Sequence, residues 1–109
     1  MTESCRSTLV SRVRIASQTA DILDADRSTY SVFASAMSEA GELGQELAIA
    51  NGDSYKKPSV DGVIGEAIDT IITLLDLIYV ENPEFSEQQI DEYASTKLDK
   101  WLAKLNEQQ

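Results

Sequence analysis

Four acids stand out by type and spacing: Glu39 and Glu42, then Glu66 and Asp69. Each pair is three residues apart, which on an α-helix puts both side chains on one face, a turn apart. If the two segments are antiparallel neighbours, all four carboxylates can meet in one volume. Four such charges repel strongly unless a cation lies among them. Mg²⁺ and Mn²⁺ are hard ions that suit an all-oxygen ligand set. Mg²⁺ also commonly shares its shell with substrate phosphates.

Taken singly, either pair is an ordinary solvated helix face. Three features favour a ligand set. The segments 31–50 and 59–80 contain no Lys or Arg, so Glu39, Glu42, Glu46, Asp61, Glu66, Asp69 and Asp76 have no cationic partner on their own helices. The strip Glu66, Asp69, Thr73 and Asp76 is narrow and lies on an otherwise apolar segment, which predicts that it faces a cleft. Four of the five glycines, Gly41, Gly44, Gly62 and Gly65, crowd these acids. A helix-interior Gly costs ~1 kcal/mol relative to Ala, so close helix packing or room for a ligand should compensate.

The elements that must position these acids are helices. Punctuation is sparse: Asn51-Gly52-Asp53-Ser54 with Pro58, Glu81-Asn82-Pro83-Glu84, and a weaker break at Asp24–Ser28. Four periodic segments remain, at about 7–23, 31–50, 59–80 and 87–105. The first carries Leu9, Val13, Ala16, Ala20 and Leu23. The second carries Phe33, Ala36, Met37, Ala40, Leu43 and Leu47. The third is apolar over more than half its circumference. Ser86 and Gln89 have capping-box spacing at the start of the fourth, whose stripe is Ile90, Ala94, Trp101 and Leu105. One all-α domain over 1–109 is expected, an antiparallel four-helix bundle-like protomer. The breadth of the third apolar face predicts a homo-oligomer.

Composition removes other chemistries. The 109 residues hold 9 Lys+Arg, 19 Asp+Glu and no His, a formal net charge of −10. That balance argues against a nucleic-acid partner. Without His there is no Ser-His-Asp or Cys-His catalysis, no His-ligated zinc and no Glu-x-x-His di-iron site. The spaced acidic loop of an EF-hand is absent. The lone cysteine, Cys5, reads as a free thiol in a reducing compartment. With neither a membrane-spanning run nor a signal-peptide pattern, a cytoplasmic location without membrane contact is the expectation.

With SEAGELGQEL supplying Glu39 and Glu42, and GEAIDTIITLLDLI supplying Glu66 and Asp69, the chain resembles the MazG-like all-α nucleoside triphosphate pyrophosphohydrolases. Their pattern is Glu-Glu-x-x-Glu on one helix, a spacer, and Glu-x-x-Asp on the next. The resemblance covers about 33–80 well and the last helix more loosely. It implies Mg²⁺-dependent hydrolysis of a (deoxy)nucleoside triphosphate to monophosphate and pyrophosphate, with Glu39, Glu42, Glu66 and Asp69 as metal ligands. Glu39 and Glu42 would also act in catalysis. It further implies a homodimer, or a tetramer of two dimers, with the site near a subunit interface.

Ser38 stands where the family has its first Glu, which leaves the general base unassigned. Glu46 is a substitute one turn beyond Glu42, although a solvated acid is the plainer reading. Asp76 is a weaker candidate for an outer ligand or substrate contact. The triphosphate needs cations too. Lys97 and Lys100 on the last helix are the candidate substrate-binding residues, beside Lys104 and the loop pair Lys56 and Lys57; the plainer reading of the helix lysines is complementarity to the helix dipole. Tyr93 and Trp101 offer rings for a base, with Trp101 more simply a core anchor. The competing function is a noncatalytic helical module that binds nucleotide or protein.

Overall fold

The computed structural model describes residues 8–108, so Cys5 lies outside the described residues. Four helices follow in order: α1 (Leu9–Leu23), α2 (Thr29–Ala50), α3 (Gly62–Glu81) and α4 (Glu87–Glu107), with no strand among the described residues. The all-α expectation holds.

Side-chain caps decide where three of these helices begin. Thr8 and Ser11 form a reciprocal capping box at α1, Ser28 and Ser31 another at α2, and Ser86 and Gln89 the expected one at α4. In the first two boxes Ser stands where Glu or Gln is usual. That substitution hides the signal, and α2 starts two residues earlier than the apolar period indicated. The entry to α3 differs in kind. Its N-cap, Asp61, makes no side-chain cap bond. Instead the Gly62 N–H donates to Ser59 Oγ at 3.1 Å. Gly62 has φ +64°, in the left-handed region where a side chain is strained, and so α3 starts at 62 rather than 59.

α2 and α3 form an antiparallel pair, tied at both ends. Thr29 Oγ1 at the start of α2 donates to Glu81 Oε2 at the end of α3, at 3.1 Å. Glu46 near the end of α2 accepts the N–H of Ser59, just before α3, at 2.8 Å. α1 packs across the C-terminal half of α3. Arg14 stacks 5.5 Å over the Tyr79 ring and donates to the Pro83 carbonyl at 3.1 Å. Arg27, in the α1–α2 turn, bonds Asp76 Oδ1 at 2.7 Å and pairs with Asp21 at 3.0 Å.

Among the described residues the apolar core is small: Val13, Val32, Ala36 and Tyr79. Most of the expected stripes stay open. Leu23 is 81% exposed and Ile64 75%. α4 buries no residue, and Trp101, at 61% exposure, is not a core anchor of the chain. α4 meets α3 only at their corner, where Phe85 and Tyr93 rings lie 5.6 Å apart above a hollow of about 550 Å³. The helix then runs on without packing closely against α1 or α2.

Candidate functional site

The antiparallel pairing of α2 and α3 brings three of the four expected ligands together. Carboxylate oxygens of Glu39, Glu42 and Glu66 all lie within 4.8 Å of one another. Asp69 falls outside that triad, but its charge reaches Glu39 and Glu66. The turn spacing explains the arrangement. Glu39 and Glu42 stack on one face of α2, and Glu66 faces them from α3.

Among the described residues, Glu39 Oε2 and Glu66 Oε2 are both buried and have no hydrogen-bond partner. The neighbouring hydroxyls are spent elsewhere: Thr70 donates to the Glu66 carbonyl at 2.8 Å, and Thr73 to the carbonyls of Thr70 and Asp69. Glu39 titrates above the ordinary carboxylate value of 4.5, first because of desolvation and then because Glu42 and Asp69 repel its charge. Glu66 is raised in the same way, by desolvation and then by Glu42, Asp69 and Glu39. Every charged group acting on these two carboxyls is another acid. A buried carboxylate oxygen without a donor, in a field of like charge, is a position that a divalent cation satisfies. The all-oxygen donor set fits a hard ion such as Mg²⁺ or Mn²⁺.

The glycines divide into two groups. A Cβ at Gly41 or Gly44 would meet nothing within 4 Å, so close packing inside the protomer does not account for them; they leave open space on either side of Glu42. Gly62 and Gly65 instead serve the entry to α3. A Cβ at Gly65 would collide with the Asp61 side chain, which folds over that position.

Other expected residues lie elsewhere. Lys97 and Lys100 are on exposed α4, where they line a shallow cleft with Glu92, Tyr93 and Thr96. They exert no resolved influence on Glu39 or Glu66. Lys56 and Lys57 are exposed on the loop. Asp76 is not a free acid: Arg27 bonds it at 2.7 Å, and it stands outside the acidic triad. Glu46 is not a solvated acid: it is 7% exposed and bonded to the Ser59 backbone. Ser38 is exposed beside Glu39. Ser59 and Arg27 escaped the reading of the sequence, since a backbone N–H acceptor and a long-range ion pair leave no periodic trace.

No family model, curated protein or solved structure matches this chain. Among the described residues, no helix is long and apolar enough to cross a membrane.

Proposed function

We propose that this chain is a divalent-metal-dependent nucleoside triphosphate pyrophosphohydrolase, cleaving a (deoxy)nucleoside triphosphate to monophosphate and pyrophosphate. The observation that carries the reading is the convergence of Glu39, Glu42 and Glu66 around two buried carboxylate oxygens that have no donor. The resemblance of the paired acidic motifs to the MazG-like enzymes supplies the reaction.

In this reading Glu39, Glu42, Glu66 and Asp69 hold the ion. Asp69 would complete that set from just outside the triad. An ion held there would supply positive charge to the triphosphate oxygens and acidify an attacking water. Glu42, the exposed member, and Glu39 would orient that water, and one of the two carboxylates would take its single proton. The water oxygen bonds to the α-phosphorus, and the α–β bridging oxygen leaves with pyrophosphate. Phosphoryl transfer depends mainly on positioning and on cations, so the chemistry does not need histidine. Housekeeping of nucleotide pools would place the protein in the cytoplasm.

Self-association belongs to the same proposal. One protomer exposes 8334 Å², where a compact monomer of this mass exposes about 6,000 Å². Its radius of gyration is 17.1 Å, against about 13 Å for a compact domain of this length. A second copy would cover the exposed apolar faces of α3 and α4. Lys97 and Lys100 then remain substrate-binding candidates in the assembly.

The test is incubation with a panel of ribo- and deoxyribonucleoside triphosphates and Mg²⁺, with products resolved by chromatography. Monophosphate and pyrophosphate, lost with EDTA and with Glu39→Ala or Asp69→Ala, support the enzyme. Diphosphate and orthophosphate overturn the assigned cleavage position. A second reading, a noncatalytic nucleotide- or protein-binding module, is favoured by Ser38 at the family's first Glu and by the absence of a resolved cationic influence on Glu39 or Glu66. Nucleotide binding without turnover identifies it.

A further inference from the structure

Glu46 is the acid of α2 that the carboxylate cluster leaves out. It follows Glu42 by one turn, yet its environment is quite different. The residue is buried, and its Oε1 accepts the backbone N–H of Ser59 at 2.8 Å. Ser59 in turn accepts the N–H of Gly62 on its own Oγ at 3.1 Å. Gly62 turns the chain through φ +64°, and the Asp61 side chain then lies against Gly65. Glu66 is the next residue. A continuous path therefore runs from the last turns of α2 to the first ligand on α3.

Burying a carboxylate is costly unless its oxygens are bonded. A charged acceptor makes a short, strong bond to an amide. The 51–61 connection has no other bond from its backbone amides to a side chain on a flanking helix among the described residues. A helix advances 100° per residue, so a slip of one residue where α3 begins would swing Glu66 away from Glu39 and Glu42.

We propose that Glu46 is a positioning residue: it anchors the α2–α3 connection at Ser59 and so sets the rotation of α3 that brings Glu66 against Glu39 and Glu42. This role presupposes the reading of that cluster as a cation site. It also assigns Glu46 neither metal ligation nor proton transfer.

Two variants separate the roles. Glu46→Gln keeps a carbonyl acceptor but loses the charge and the basicity. Glu46→Met fills the same space with no acceptor oxygen. The readouts are hydrogen exchange of the Ser59 amide by NMR, Mn²⁺ affinity by calorimetry, and the pH profile of triphosphate turnover. Glu46→Gln should keep Ser59 protection, bind Mn²⁺ within about twofold of wild type, and leave the profile unmoved, as expected for a supporting bond. Glu46→Met should lose Ser59 protection and weaken Mn²⁺ by ~10-fold or more, the usual cost of losing an outer support. Glu66→Gln should weaken Mn²⁺ while sparing the Ser59 amide.

Unchanged Mn²⁺ affinity in Glu46→Met overturns the proposal. So does loss of affinity or turnover in Glu46→Gln with Ser59 still protected, because Glu46 would then be a ligand or a base. If Glu46→Met does not fold, the Gln variant alone still decides between anchor and base. A wild-type protein that binds no Mn²⁺ defeats the cation reading instead, and Ser59 exchange in the same samples still reports on the anchor.

Discussion

Glu39 and Glu66 set the pH behaviour at the scale of single residues. Both titrate above 4.5, chiefly through desolvation and then through neighbouring carboxylates. The folded state therefore binds protons more readily than the unfolded chain. Without metal, these groups should oppose folding in full above their raised values. The opposition should ease as pH falls through those values, and end below 4.5. Metal-free melting temperature should rise on mild acidification, and Glu66→Gln should raise it at neutral pH and flatten the profile. Divalent affinity should fall over the same window, because protons compete for the same oxygens. Thermal melts in EDTA and in Mg²⁺ across pH check both halves. Gly65 offers a second residue-scale test. Gly65→Ala would set a Cβ against the Asp61 side chain, an overpacking that should cost about 1–3 kcal/mol. Denaturant titration measures it.

The informative contacts between elements are the ones that tie helices end to end. Arg27 bonds Asp76 and pairs with Asp21, so one cation in the α1–α2 turn joins α1 and α3. Asp76→Asn should lower stability by about 1–3 kcal/mol, the range for weakening a partly buried charged hydrogen bond. Metal affinity and turnover should be spared, because Asp76 is committed to Arg27. Loss of turnover without loss of stability would return Asp76 to the substrate. The caps act more locally. Ser28→Ala removes the acceptor for the Ser31 N–H and should cost ~1 kcal/mol, read from the urea midpoint.

The whole molecule presents more accessible surface than a compact monomer of this mass, and several large apolar side chains lie on it. The excess, roughly 2,000 Å² over a compact monomer, is comparable with the area that permanent subunit interfaces bury. Light scattering should give a mass at least twice the 12.0 kDa of one chain. Ile64→Glu should lower it, since Ile64 is wide open within one protomer. A monodisperse monomer with a normal melting transition would defeat the self-association proposal. Much of this was legible beforehand. Four helices, three turns and the shared helix face of Glu39 and Glu42 follow from apolar period and i,i+3 spacing, because both are local geometric rules; the approach of Glu66 to them required the antiparallel pairing of α2 and α3.

What local rules cannot reach is partnership between residues distant in the chain. Glu46 and Asp76 have the same residue types and helical spacing as their neighbours in the cluster. One is buried on the Ser59 amide and the other is held by Arg27. Trp101 and the α4 stripe carry a core-like pattern, yet α4 buries nothing in its protomer. Periodicity states that a face is apolar; it does not state what covers it. By itself the sequence determined the helices and the face on which the acids stand, since backbone geometry dictates both. The tertiary structure decided which acids remain without a donor, because only the packing of α1 and of the α2–α3 connection delivers Arg27 and the Ser59 amide to particular carboxylates.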